Sequence, residues 1–519
     1  MIRVRNVKIS IDNNEPLKEI LEKKLKTKIN SYKIVKESLD ARKDIKYVYT
    51  FDIDIDSEDL FLKKNISSDI FKTPREEYEF NITGNIHVTT RPIIVGSGPA
   101  GLFLGYMLSK NGYKPIIIER GEKIEDRIKT VEKFWNSNEL NTESNVQFGE
   151  GGAGTFSDGK LNTLVKDKLY RMKKVFEIFV ECGAPKEIMY SYKPHIGTDV
   201  LRNVVINLRN KIISFGGEFR YNTKLTDIII KDNKVKGIVV NNNDEIKTDY
   251  LFLALGHSAR DTFELLHSKN LDMKSKPFAV GVRIEHKQED INRSLYKENY
   301  NKLGPASYKL TYNTKDGRGV YSFCMCPGGY VVNASSEKNR LAINGMSNYK
   351  RDSKVANSAL VVSVTPKDYG EGLFDGVKFQ RNLEEKAYEL GNGRIPAQKY
   401  IDFINNKKTS SFEFEPLTKG SYTCSNLNDL LPIFIIESIK EAMPHFKKQI
   451  DCFDKDDSIM LGIESRTSSP ITIIRDEDGE SNIKGIYPVG EGAGYSGGIT
   501  TSAMDGLKQA ENFVKKYRP

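Results

Sequence analysis

The chain has 519 residues, a formal charge of +9, and 38% hydrophobic against 29% charged residues. That length supports two or three domains around a large core, and no apolar run approaches the ~20 residues that span a bilayer. Five thinly spread cysteines argue against a disulfide scaffold; with an N-terminus that lacks an apolar leader stretch, they make the cytoplasm the expected compartment.

Residues 1–90 read as a small α+β unit and its connector. Residues 4–11 alternate like a strand, 16–25 have helical spacing, and 47–55 alternate again. Basic residues outnumber acidic ones before residue 50, but the run from Asp52 to Asp59 is acidic. A solvated, Lys-rich surface explains that better than nucleic acid as a partner.

A phosphate-binding fingerprint follows. Ile93–Val95 is an apolar strand, and Gly96, Gly98 and Gly101 stand at G-x-G-x-x-G spacing before a helix that Pro99 and Ala100 open. Gly96 permits the tight turn, Gly98 lets backbone approach a pyrophosphate, and Gly101 lets helix and strand pack closely. The diphosphate would sit on the positive end of that helix. A second strand, Ile116–Ile118, ends in Glu119, the position from which an acid grips a ribose hydroxyl. Strand, glycines, helix, strand and acid in this order identify a dinucleotide site.

Beyond a polar helical stretch holding Trp135, residues 149–161 read Gly-Glu-Gly-Gly-Ala-Gly-Thr-Phe-Ser-Asp-Gly-Lys-Leu. So many glycines beside Phe148 and Phe156 suit backbone pressed against a planar ring or a phosphate, with Gly152 and Thr155 as the contacts. A hairpin expected around Asn233, entered near Leu225, leads to the apolar strand 251–255 and Gly256. Residues 276–470 leave the Rossmann pattern for strands at 278–285, 320–323, 330–333 and 360–365, and helices near 382–390 and 431–443. A last strand at 486–489 and a glycine-rich turn, 490–498, open the final helix.

The 484–507 segment, with 251–256, resembles the glutathione-reductase-like FAD superfamily. The blocks 149–161, 321–329, 464–470 and 490–506 resemble a bacterial family of FAD-dependent dehydrogenases with a small N-terminal domain, over nearly the whole chain. The resemblance implies FAD as cofactor. It puts Gly490 and Glu491 at the ribityl chain, although Asp is commoner at 491, and Gly497, Gly498 and Ile499 at the flavin edge. It further puts Arg120 or Arg127 at the phosphates, an ordinary surface salt bridge being the alternative for Arg127, and Leu225 and Gly256 along the cofactor. The fold class is α/β: a Rossmann-like FAD-binding domain discontinuous in sequence (91–275 and 471–519), an inserted α+β substrate domain (276–470), and the small N-terminal α+β domain.

Three features bear on chemistry. Glu464 and Arg466, with four hydroxyls in seven residues, can form an anion clamp with a proton donor or a buried ion pair. Tyr321 opens the segment Tyr-Ser-Phe-Cys-Met-Cys-Pro-Gly-Gly, read as a substrate-pocket wall in preference to a strained C-x-C dithiol. His257, after Gly256, is an adenosine-side contact. No Cys/His spacing suggests a metal. No second nucleotide fold is legible, so NAD(P)H, if it is the reductant, binds transiently at the flavin. The expected function is an FAD-dependent oxidoreductase carrying hydride between a reductant and a small organic substrate. A monooxygenase or unsaturated-bond reductase, or a non-catalytic flavin-binding or RNA-associated protein, are the alternatives. Oligomeric state is not legible.

Overall fold

Three-residue strands, apolar at almost every position, form a five-stranded parallel sheet in a computed structural model that describes residues 1–41, 45–65, 67–163 and 165–519. Its order is Ile486–Pro488, Leu251–Leu253, Ile93–Val95, Ile116–Ile118 and Glu218–Arg220, with Ile93 aligned to both Leu251 and Ile116. A parallel sheet needs cover on both faces, and strand alternation sends successive residues to opposite sides. Ile94, Ile117, Phe252 and Tyr487 pack under the helices Pro99–Lys110, Arg171–Glu181, Thr198–Ser214 and Ile499–Lys516. Ile93, Ile116, Leu251 and Ile486 pack beneath the helix Arg260–Ser268 and a three-stranded antiparallel sheet formed by Leu225–Lys231, Lys234–Val240 and Asp244–Lys247. Strands 93–95 and 486–488, far apart in sequence, thus share one layer.

The middle of the chain builds a seven-stranded mixed sheet. Its order is Thr311–Asn313, Gly319–Cys326, Val355–Val364, Phe278–Lys287, Ile459–Glu464, Ile395–Lys399 and Tyr422–Cys424. The helices Asp375–Gly391 and Ile433–Lys447 bury its largest apolar cluster. Two of its inner strands, Ile395–Lys399 and Ile459–Glu464, carry no alternation and escape a sequence reading, because both faces are covered.

The N-terminal stretch up to Lys72 holds a separate core on a sheet ordered Ser31–Asp40, Lys46–Asp54, Ile2–Ser10, Ile70–Lys72. The strand Ser31–Asp40 is half-exposed and polar at the sheet edge, so its pattern is faint. The connector docks on the chain's end. Gly84 N–H donates to the Val514 carbonyl at 2.9 Å, and Ile86–His87 pairs in parallel with Tyr517–Arg518. Among the described residues, no helix is long and apolar enough to cross a membrane.

Candidate functional site

A cavity of about 540 Å³ opens at the carboxyl ends of the parallel strands and runs to inner strands of the seven-stranded sheet. Two helices aim their N-termini at it. Gly98 caps Pro99–Lys110, Gly498 caps Ile499–Lys516, and both glycines line the wall. The unsatisfied N–H groups and dipole of a helix start favour an anion there. A Cβ on Gly98 would meet only the Gly152 Cα, at 3.8 Å, and one on Gly498 would meet nothing within 4 Å. Backbone is bare where a diphosphate and a ring would lie, so the residues present fit a dinucleotide.

Of the residues singled out in the sequence, Gly96, Gly98, Pro99, Ala100, Glu119, Arg120, Gly152, Leu225, Gly256, Glu491, Gly497, Gly498, Ile499, Glu464 and Arg466 line this cavity. Gly101 stands behind it. A Cβ there would fall 2.0 Å from the Gly96 carbonyl oxygen, so its work is helix-to-turn packing. Gly490 also stands behind, donating its N–H to Asp505 Oδ2 at 2.8 Å and turning the chain so that Glu491 meets the wall.

Three candidates lie elsewhere. Arg127 is fully buried, and its guanidinium donates to the carbonyls of Asn145, Val146, Gly149, Glu150 and Gly152 at 2.7–3.2 Å. It holds the glycine loop in shape and faces no phosphate position. Thr155 is buried with its hydroxyl on the Glu150 carbonyl. Tyr321 packs against Ala279, Ala359 and Val361, one rung short of the cavity, and Phe323 and Cys324 form the wall instead.

Glu119 is satisfied by the protein itself. Its carboxylate accepts from the Ser97 N–H (3.0 Å) and hydroxyl (2.8 Å), and from the Gly121 and Gly149 N–H groups, both at 3.0 Å. A carboxylate has about four lone-pair sites, so a ribose hydroxyl must share or displace one of these donors. Arg120 is engaged too: both Nη atoms donate to Asp261 at 2.9 Å, and its guanidinium lies 4.1 Å above the Phe148 ring centre. Burial raises the Asp261 carboxyl, but the hydrogen bonds from Arg120 and Lys224 outweigh it and hold the group well below the carboxylate range.

At the far end, Glu464 and Arg466 are not partners. Arg466 donates from Nε and Nη2 to Glu384 at 2.9 and 2.7 Å, and from Nη1 to the hydroxyls of Ser258, at 3.1 Å, and Ser336, at 2.5 Å. Arg260 grips the other side of the same carboxylate at 2.7 and 2.9 Å. This buried Arg260–Glu384–Arg466 triad favours the ion-pair account of Arg466 over the anion clamp. It also surrounds His257, whose pKa burial and then the Arg466 and Arg260 charges push down to about 3, leaving a neutral imidazole at the wall. No sequence spacing links 260, 384 and 466; only the fold does.

Glu464 accepts from Arg283 Nε at 2.8 Å, and Arg283 also holds Asn357 at 2.6 Å and Asn344 at 3.1 Å. Burial still raises the Glu464 carboxyl to about 7, with Arg283 only partly opposing. Glu491 is likewise raised to about 7 by burial, opposed by Lys276. The cavity therefore offers two carboxyls that exchange protons near neutrality. Among the described residues, no group of three His, Cys, Asp or Glu could hold a metal ion.

Comparison with known proteins supplies the family. Residues 277–467 match a model described as FAD-dependent protein, C-terminal domain-like, and residues 1–54 match a domain of unknown function. A protein of Clostridium beijerinckii, described only as uncharacterized, is 45% identical over 533 residues and spans 99% of each chain. Among solved structures, glycine oxidase from Bacillus cereus is 11% identical, covers 82% of this chain and 94% of its own, and has a TM-score of 0.34. L-Proline dehydrogenase from P. horikoshii is 12% identical over 82% and 93%, with a TM-score of 0.36. Both likenesses are too distant to bear on the reaction. The chain therefore belongs to the family of the C. beijerinckii protein, a family of FAD-dependent proteins, and its cofactor is FAD.

Proposed function

We infer that the protein is an FAD-dependent oxidoreductase that passes hydride between a reductant and a small organic substrate, with 276–470 as the substrate domain. The observation that carries this reading is one cavity with two kinds of wall. Two helix N-termini and bare glycine backbone form one end, and titratable side chains on the seven-stranded sheet form the other. When bound, FAD supplies the redox chemistry. The chain holds the diphosphate at the helix beginning after Gly98, steadies negative charge at the helix beginning after Gly498, and excludes water with Phe323 and Phe148.

A second observation favours the unsaturated-bond reductase form over the monooxygenase. Hydride addition to a C=C or C=O bond needs a proton as well, and Glu464, protonated up to about pH 7, faces the cavity to donate one. NAD(P)H would reach the site transiently. Anaerobic addition of NADH or NADPH, followed by a panel of enones, ketones and amino acids, tests the reading. Bleaching by a pyridine nucleotide and recovery of the yellow colour with an unsaturated acceptor is the expected result. A flavin that no donor reduces enzymatically, and no panel member reoxidises, overturns it.

A further inference from the structure

The strand Gly319–Cys326 loses register with Val355–Val364 just before it ends. Phe323 faces Ala359 and Cys326 faces Asn357, so three residues span an interval that two fill on the partner strand. One residue is therefore extra, a β-bulge of the kind that re-aims a side chain beside a site. Cys324 takes a φ of +45°, left-handed and uncommon for a residue other than Gly, Asn or Asp. It stands in the cavity wall together with Phe323 and Glu464. Cys326 is fully buried behind it, and its thiol donates to the Cys324 carbonyl at 3.3 Å. Both thiols are free. Residues i and i+2 of a regular strand lie roughly 6.6 Å apart, near the upper limit for a disulfide. The bulge breaks that spacing and folds the Cys326 sulfur back toward its neighbour.

The charges around the pair are asymmetric. The hydrogen bond from Cys326, followed by the Arg283 and Lys160 charges, holds the Cys324 thiol below its ordinary range against the opposing effect of burial. The same neighbour and burial push Cys326 up. The cavity-side sulfur is thus the more acidic of the two and the buried sulfur the less, the polarity of an attacking and a resolving cysteine.

We propose that Cys324 and Cys326 form a redox dithiol that carries an electron pair from an external dithiol to FAD, a role that deepens and rests on the oxidoreductase reading. In the oxidised state one S–S bond joins them. A donor thiolate breaks that bond at Cys324 and forms a mixed disulfide, and the departing Cys326 sulfur takes the proton of the donor's second thiol. The donor's second thiol then closes the donor's own disulfide and releases Cys324 as thiolate. The two cysteines next give FAD two electrons and one proton. Their S–S bond re-forms, and the proton that leaves with the electrons is the one held on Cys326, since Cys324 is already a thiolate. The donor class is a dithiol, either a small molecule or a protein.

The test uses purified holoprotein without oxygen. Dithiothreitol and reduced thioredoxin are the two dithiol probes, glutathione is the monothiol control, and dithionite is the reductant that needs no cysteine. Either dithiol should bleach the wild-type flavin at least tenfold faster than in Cys324→Ser or Cys326→Ser, and the faster probe identifies the size of donor. Dithionite should bleach all three proteins alike. Independently of turnover, air-oxidised wild-type protein should yield a peptide spanning 324–326 that is two hydrogen masses lighter and resists alkylation until reduced. Equal dithiol rates in all three proteins, or full alkylation of both cysteines after air oxidation, overturns the dithiol. Because the pyridine-nucleotide and acceptor assay above contains no thiol, it can succeed while the dithiol fails, so the two readings fall separately.

Discussion

Arg466 shows how one side chain can sit in a cavity wall and still belong to the scaffold. Its bonds to Glu384, Ser258 and Ser336 tie the helix Asp375–Gly391 to the segment beside His257. Arg466→Met should leave buried Glu384 with Arg260 as its one guanidinium, beside the Ser465 hydroxyl, and lower stability by about 3–5 kcal/mol, the scale for removing one partner of a buried pair. Thermal unfolding should show the loss, whereas turnover per folded, flavinated molecule should change less than tenfold. A mutant of unchanged stability that loses turnover would restore the anion clamp. Glu464 makes a pH prediction. Its folded pKa of about 7 lies above the ordinary carboxylate value of about 4.3. The folded state therefore binds the proton more tightly than the unfolded chain. Stability from this group is full below about pH 4 and is lost as pH rises through 7, by about 4 kcal/mol in total. Denaturant midpoints between pH 5 and 8 should fall less steeply in Glu464→Gln than in the wild type. Parallel slopes would show that Glu464 ionises normally.

Elements position the site through backbone more than through side chains. The helix Pro99–Lys110 reaches the cavity because its first turn packs on the Gly96 carbonyl at Gly101, and the glycine loop joins it through the Gly151 N–H donating to the Ser97 carbonyl at 2.9 Å. Gly98 and Gly101 should therefore fail differently. Gly98→Val, with space around its Cβ, should fold with near wild-type circular dichroism and melting yet purify colourless, its flavin-to-protein absorbance ratio at least tenfold down. Gly101→Val drives a side chain into backbone 2.0 Å away, so it should lose fold and flavin together. A yellow, well-folded Gly98→Val would remove that helix N-terminus from the cofactor site.

At the scale of the molecule, the last residues close the structure on its connector. Tyr517–Arg518 pairs with Ile86–His87, the Val88 N–H donates to the Arg518 carbonyl at 3.0 Å, and the Tyr113 hydroxyl donates to the Tyr517 carbonyl at 2.8 Å. Deleting residues 517–519 removes these bonds and the Tyr517 ring, which packs 4.8 Å from both Tyr250 and Phe513. The deletion should lower stability by roughly 3–5 kcal/mol and open the connector near residues 78–90 to limited proteolysis while the protein stays yellow. Unchanged cleavage would show that the connector is held from its other end. The fingerprint glycines and the strands at 93–95, 116–118, 251–253 and 486–488 were legible because local physics sets them: glycines where backbone must come close, and apolar runs where both sheet faces are covered; FAD as the dinucleotide came from the family resemblance of 251–256 and 484–507. The roles of Arg127, Thr155, Tyr321 and Arg466 were not legible. A guanidinium is written the same way whether it meets a phosphate, five carbonyls or a carboxylate 82 residues away, and a strand residue gives no sign of which rung reaches a cavity. Side-chain type and short-range spacing determined that the chain binds a dinucleotide, and the family resemblance made it FAD. Long-range packing alone decided which charges were already satisfied, and a single bulged residue decided that Cys324 faces the cavity.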